Sequence, residues 1–403
     1  MHITIIGAGF AGVKAALTLA ANPDNQVTVI TDKEDFQYYP SMYSSATGKS
    51  HLESWVPLGE IFASHDNVKV YIDHVVGIDG EKRQIIGASD HTYDYATLLV
   101  AVGMVTTYFG IKGLDQYTYG IKSAAEIRKL KARIFKDLAG EKKLDKNYVV
   151  IGGGPTGVEL AGALGTYLRR LMKYHGIRQK NLRIRLIEAA PRVLPRSHPQ
   201  VSKRVARRLK RLGVEVETGV AVEEATAEKL IAGGRVIDSH TVIWTSGVAN
   251  NPLFAAHPEL FKLAKNGRVV VDEYLSASKN IYVLGDNAAT AFSGLAQTAL
   301  HDAKFVADNL ARKQAHRKLK KYRAIQPASV VPVGDNWAAF EWKSIRLYGR
   351  KAAMIRSAAD FIGYSDILPL GQAIRPWSAS RIYERDYFAP VPVESAKARQ
   401  PKS

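Results

Sequence analysis

The residues best placed to do chemistry in this sequence are two short glycine strings, each of which ends an apolar run. Gly7-Ala8-Gly9-Phe10-Ala11-Gly12 follows His2-Ile3-Thr4-Ile5-Ile6, and Gly152-Gly153-Gly154-Pro155-Thr156-Gly157 follows Tyr148-Val149-Val150-Ile151. Both read G-x-G-x-x-G between a strand pattern and a helix pattern. In that setting one glycine makes a tight turn, one lets the backbone approach a pyrophosphate, and one permits close helix–strand packing. The N-terminus of the following helix then faces the phosphates. A single such string also occurs in plain turns. Two in one chain point to two dinucleotides, one donating and one receiving electrons, held by Gly7, Gly9 and Gly12 and by Gly152, Gly154 and Gly157.

Acidic residues stand where each dinucleotide would present a ribose. After the strand Val27-Thr28-Val29-Ile30 the expected position holds Thr31, with Asp32 one residue later, so Asp32 is the candidate ribose ligand and Thr31 its rival. After Arg183-Ile184-Arg185-Leu186-Ile187 comes Glu188, whose carboxylate would hydrogen-bond a ribose diol and repel a 2′-phosphate, favouring NADH over NADPH. The plain reading of Glu188 is a surface carboxylate, and Arg192 stands close enough in sequence to soften the preference.

The elements that must position these residues are parallel strands alternating with helices, in a chain of 403 residues, long enough for two or three domains. A 46 % hydrophobic content is that of a folded globular protein, and no stretch approaches the eighteen apolar residues of a spanning helix. Strand-like sequence begins at His2 without a charged or apolar leader, from which an intracellular protein is expected. The sequence has no cysteine, so it forms no disulfide or thiolate metal site, and no redox-active cysteine pair can relay electrons. No metal ligand is assigned. A net charge of +18 calls for an anionic partner, either nucleic acid or a membrane surface.

Taken together these strings resemble the pyridine nucleotide-disulfide reductase superfamily and, within it, the type II NADH dehydrogenases, single-chain NADH:quinone oxidoreductases. The likeness covers nearly the whole chain. Beyond the glycine turns it rests on Tyr93-Asp94-Tyr95 ahead of the strand ending at Gly103, on Tyr108-Phe109-Gly110-Ile111, and on Val158-Glu159-Leu160-Ala161. It also rests on Val242-Ile243-Trp244-Thr245-Ser246-Gly247-Val248 and Ile281-Tyr282-Val283-Leu284-Gly285-Asp286-Asn287-Ala288. The resemblance implies an α/β fold of two nested Rossmann-like dinucleotide-binding domains. FAD would occupy residues 1–115 with 256–325, and NADH residues 116–255. Residues 326–403 would form a C-terminal membrane-association or dimerisation segment, with a disordered end from about 389.

The same resemblance assigns roles. Gly103, Gly247, Gly285 and Asp286 would contact the dinucleotides, Asp286 through the ribityl chain of FAD unless it merely caps the next helix. Glu159 would face the boundary of nicotinamide and flavin and relay protons, or else only favour its helix N-terminus. In the family a helix carrying Ala-Gln-x-x-x-Gln lines the quinone site. Here Ala296-Gln297-Thr298-Ala299-Leu300-His301 has histidine for the second glutamine, which leaves a donor and adds a titratable group, or is a surface histidine. Hydride would pass from NADH to FAD, and two electrons from FAD to a quinone, with no proton pumping.

The C-terminal segment decides the partner. Residues 342–370 interleave Ile345, Leu347, Met354 and Ile362 with Arg346, Arg350, Lys351 and Arg356. This predicts a helix lying on an anionic membrane surface, peripheral at the cytoplasmic face, or packed on the body or in a homodimer. The basic runs at 203–211 and 313–323 read as solvated faces of helices, so no nucleic acid is expected. The rival readings are a soluble NADH-dependent reductase with another acceptor and a flavin-bearing redox sensor.

Overall fold

A computed structural model describes residues 1–140 and 143–384; the end expected to be disordered from about 389 lies outside the described residues. The first glycine string ends strand His2–Ile6, the centre of a six-stranded sheet. From one edge the order is Ser276–Ser278, Ile281–Val283, Thr97–Val100, His2–Ile6, Gln26–Thr31 and Val68–Ile72, all parallel except the first. Helices Phe10–Ala20 and Ala296–Gln314 cover one face of this sheet and an antiparallel meander covers the other, so its strands are continuous apolar runs, and Ile3, Ile5, Val29, Leu98 and Leu99 are fully buried.

The second glycine string ends strand Asn147–Ile151, central in a four-stranded parallel sheet with Val214–Thr218, Arg183–Glu188 and Thr241–Trp244. Each sheet carries a three-stranded antiparallel meander, Val75–Asp79 to Thr92–Asp94 on the first and Val222–Ala225 to Arg235–Asp238 on the second. The chain crosses between the sheets twice, and the crossings pair antiparallel as Met104–Thr106 against Val248–Asn250.

The C-terminal reading needs correction. Residues 342–370 are not one surface helix. Strand Ser329–Pro332 pairs with Ala338–Trp342, which pairs with Ile345–Gly349, and only then do helices Arg350–Ser365 and Leu370–Ala379 follow. The alternation of Trp342, Ile345 and Leu347 with polar residues is the period of a hairpin. One face of Arg350–Ser365 is buried: Ala352 and Tyr364 are sealed, and Tyr364, Ile367, Leu368 and Ala373 belong to the same core as Ile3 and Val29. Most of the basic run at 313–323 is likewise not helical, because the helix Ala296–Gln314 ends just inside it and the chain then runs without regular structure to residue 328. Among the described residues no helix is long and apolar enough to cross a membrane.

Candidate active site

The two glycine turns share one bonding scheme. Gly7 N–H donates to Ile30 O at 2.8 Å, as Gly152 N–H does to Ile187 O at 2.8 Å, and both glycines sit at positive φ, +99° and +110°. A Cβ on Gly12 would strike the Gly7 carbonyl, and one on Gly157 the Gly152 carbonyl, so the third glycines are forced by helix–strand contact. The middle glycines differ: nothing lies within 4 Å of a Cβ placed on Gly9 or Gly154. Their open faces stand at the first turns of Phe10–Ala20 and Pro155–Tyr174, where backbone N–H groups await an anion.

A second helix N-terminus reaches the first turn. Gly285, at φ +66°, lies between the opening turns of two helices, and its Cβ would be 3.2 Å from Ala299 Cβ and 3.4 Å from Ala11 Cβ. Two N-terminal dipoles therefore meet there, with Ala296 half-buried at the head of Ala296–Gln314. Asp286 is partly buried; burial raises its carboxyl, while Arg268 and the Gly294 N–H pull it back. It does not cap the next helix, whose N-cap Leu295 has no side-chain bond. Thr31 is buried at the strand end and Asp32 is exposed beside it.

Asn287 and Asp302, which the sequence reading missed, hold this turn from beneath. Fully buried Asn287 accepts from Gly103 N–H at 2.8 Å and donates to Gly103 O at 2.8 Å and to Asn250 at 2.7 Å, tying both crossings to the turn at Gly285. Fully buried Asp302 accepts from Gly285 N–H at 3.1 Å and from the Tyr322 hydroxyl at 2.6 Å, and burial pushes its carboxyl up to about 6. The available signal was an Asp on the core face of a helix whose other members there are Ala299, Ala303, Val306 and Leu310. Gly247, at positive φ beside the second crossing, must be glycine, because a Cβ there would strike Thr107 O next to the first.

In the second cradle Glu188 accepts from Gly153 N–H at 2.5 Å and from Ala190 N–H at 2.7 Å, which sets a carboxylate on the rim of the turn. Arg192 is turned elsewhere, donating to Ser197 O, Pro195 O and the Ser202 hydroxyl.

Glu159, just inside the following helix, is 7 % exposed. Its partner is Arg356, whose Nη1 lies 3.2 Å from Glu159 Oε1. Arg356 also donates to Asp360 at 2.8 Å, Pro40 O at 2.6 Å and Val330 O at 3.2 Å, and Tyr38 donates to Asp360 at 3.0 Å. The sequence reading set Arg356 toward lipid headgroups; instead its side chain is 12 % exposed and its donors are spent inside. Burial raises the Glu159 carboxyl to about 7, with Arg356 opposing. Asp360 and Glu159 outweigh the effect of burial on Arg356 and hold it ionised. Beside this cluster lies a cavity of about 490 Å³, walled by Pro40, Tyr43, Tyr167, Trp337, Arg356 and Trp377.

Gln297 and His301 lie outside that cavity's lining. Gln297 exchanges hydrogen bonds with the Ala328 backbone at 3.1 and 3.2 Å, and His301 Nε2 meets Arg323 O at 3.0 Å. They do share one helix face, and that face clamps residues 323–328. The clamp touches the buried cluster indirectly, since Ala328 is two residues from Val330, whose carbonyl accepts from Arg356.

Two open phosphate cradles at the strand ends of two joined sheets define an oxidoreductase that works between two dinucleotides. The family model for pyridine nucleotide-disulphide oxidoreductases matches residues 1–303. Over 333 residues, 77 % of this chain and 72 % of the relative, the sequence is 31 % identical to the type II NADH:quinone oxidoreductase Ndh of Mycobacterium tuberculosis. It is 25 % identical to that of Staphylococcus saprophyticus over 89 % of this chain and 94 % of the relative. The fold matches NDH2 of Plasmodium falciparum, solved with NADH, at a TM-score of 0.83 and 16 % identity, covering 96 % of this chain and 99 % of that one. The chain belongs to the pyridine nucleotide-disulphide oxidoreductases and, among them, to the type II NADH:quinone oxidoreductases. The residues of the first cradle fit FAD, and those of the second fit NADH.

Proposed function

We propose that this protein oxidises NADH through bound FAD and passes two electrons to a membrane quinone, without pumping protons. FAD supplies the two-electron carrier between the two substrates. Gly7, Gly9, Gly12, Gly285 and Asp286 hold it, Gly103 and Gly247 shape the crossings beside it, and Gly152, Gly154, Gly157 and Glu188 hold NADH. The observation that carries the acceptor assignment is the 490 Å³ cavity beside the Glu159–Arg356 pair, large enough for an aromatic headgroup and walled by aromatic rings. Glu159 relays protons at that boundary, and Arg356 orients it. Gln297 and His301 act on the acceptor side by fixing the strand that carries Val330.

The membrane contact is the outer face of the C-terminal helices. Met354 and Ile362 are 73 % and 62 % exposed, on one face of Arg350–Ser365, and Leu370 and Ile374 stand out from the next helix. Exposed Arg350, Lys351 and Arg375 accompany them. Such a face suits an anionic bilayer at the cytoplasmic side, and a second copy of the chain is the competing occupant.

The deciding experiment is a steady-state assay with NADH and a short-chain quinone, set against a soluble dye, together with flotation on anionic vesicles. Quinone reduction and flotation are expected. Turnover with the dye alone would overturn the quinone assignment, and a dimer that ignores vesicles would overturn the membrane one.

A further inference from the structure

One buried acid on the wall of the cavity has no task in the reading above. Glu53, in the short helical turn His51–Glu53, is 3 % exposed and lines the 490 Å³ cavity, and its Oε1 has no hydrogen-bond partner. A buried carboxyl oxygen left unbonded costs free energy, so its retention calls for a role. Its backbone carbonyl is pinned by the Ser41 hydroxyl at 2.8 Å and by the Tyr364 hydroxyl, which fixes where the side chain starts.

Reducing a quinone to a quinol adds two electrons and two protons. NADH delivers two electrons and one proton as hydride, so one more proton must come from water through the protein. Resting on the quinone assignment of this cavity, we infer that Glu53 is the acid that gives this proton to a quinone oxygen. The carboxyl O–H bond breaks as the quinol O–H bond forms, and the carboxylate is then reprotonated by water from the rim where Arg170 and Arg381 are exposed.

The surroundings suit a proton that is held near neutrality and released. Burial raises the Glu53 carboxyl to about 7, opposed by the Ser44 hydroxyl, Lys49 and Arg356 and assisted by Asp360. Tyr43 and Tyr364 face it from helices Met42–Ala46 and Arg350–Ser365, and their own protons are held by burial. His51, on the same turn, is engaged with Glu384 at 2.9 Å. From Leu370–Ala379, which packs on this turn, the nearby cation Arg375 pairs with Glu60. No lysine or arginine is ion-paired to Glu53 among the described residues.

The test is Glu53→Gln in the FAD-loaded protein, with both half-reactions followed by stopped flow across pH, beside Glu159→Gln. The quinone-driven step should slow by roughly 10²-fold in Glu53→Gln. Its fall as pH rises through about 7 should persist in Glu159→Gln and vanish in Glu53→Gln. In infrared titration, the carboxylic-acid absorption lost over the same pH range, to which Glu159 also contributes, should be smaller in Glu53→Gln than in the parent protein. An unchanged pH limb, or one that follows Glu159 instead, overturns the inference. If Glu53→Gln loses its flavin, Glu53→Asp decides, because a limb unmoved in that variant also overturns it. A wild-type protein that reduces dye but no quinone fails the cavity assignment, an outcome separate from these.

Discussion

Glu159 and Arg356 meet inside the molecule, while Gln297 and His301 meet backbone on its outside, although a sequence reader gives all but Arg356 the same kind of task. The first pair brings charge into a largely buried site, where each partner depends on the other and on Asp360. The second pair spends its polar groups on the carbonyls and N–H of residues 323–328, where water competes. Removing a partner inside leaves an uncompensated charge; removing one outside leaves a group that water can satisfy. Polar residues near a cofactor are thus ranked by what remains when they are deleted.

The largest expected effect is on the element that supplies Arg356. A chain ending at residue 341 loses the outer hairpin strand, Arg356, and the buried side chains of Tyr364, Ile367 and Leu368. At about 1.5–3 kcal/mol for each large buried side chain, this loss approaches the whole stability of a domain. Such a protein is expected to be insoluble or to purify without FAD. A soluble, FAD-loaded truncation would show that the C-terminal segment is an appendage, as its sequence alone predicts.

Next comes the pair itself. Arg356→Met leaves buried Glu159 and half-buried Asp360 without their cation, and a cost of about 3–5 kcal/mol is expected in denaturant unfolding. The pH sign follows from Glu159. Its carboxyl stands near 7 in the fold against 4.5 free, so the folded state binds the proton more tightly than the unfolded chain. The resulting stability is complete below about 4.5 and is lost as pH rises through about 7. Glu159→Gln should flatten that fall. A melting profile just as steep in the variant would assign the effect to Glu53 or Asp302.

How much of this was legible in the sequence follows from the range of the interactions. The glycine turns were readable because a Cβ at Gly12 or Gly157 collides with the carbonyl of Gly7 or Gly152 in the same turn, a constraint fixed within one strand–turn–helix unit, while Gly7 and Gly152 are further held against Ala101 and Ser246 at the end of the adjacent strand. Glu188 was readable because its parallel strand must end beside Gly153. Arg356 was not, because its partners Pro40, Glu159 and Val330 come from three distant segments and only folding joins them. Interleaved cations and aliphatics between 342 and 370 fit a membrane helix and a packed amphipathic one equally well, and the hairpin at its start has the shorter period that was overlooked. Glu53 offered no local signal at all.

A smaller effect is expected at the second cradle, where Glu188 sits on the turn that receives the nucleotide. Glu188→Ala removes the carboxylate that repels a 2′-phosphate and also frees the Gly153 N–H it now accepts from. The NADH-over-NADPH ratio of kcat/KM should fall about tenfold or more, mainly through gain with NADPH. Because Arg192 is held by Ser197, Pro195 and Ser202, it is not positioned to take the phosphate, so the variant should lose discrimination without reversing it. An unchanged ratio would place discrimination elsewhere in the cradle.

The smallest effect should come from the outer pair. Gln297→Ala deletes two hydrogen bonds to Ala328, each worth about 1 kcal/mol or less where water can replace the partner. The consequence for turnover runs along the chain: Ala328 leads into the strand whose Val330 carbonyl accepts from Arg356. A looser strand blurs the position of Arg356 and, through it, of Glu159, so the quinone-driven step should slow roughly a few-fold while flavin bleaching by NADH holds its rate. His301→Ala should behave alike, because it releases Arg323 O at the other end of the same clamp. His301→Gln keeps a donor within reach of that carbonyl and should stay close to the parent protein, which separates a clamping role from proton donation by the imidazole. Stopped-flow traces of both half-reactions decide the matter. Losses in Gln297→Ala or His301→Gln as deep as in Glu159→Gln would move the acceptor from the buried cavity to the outer helix face and reverse the ranking of the two pairs.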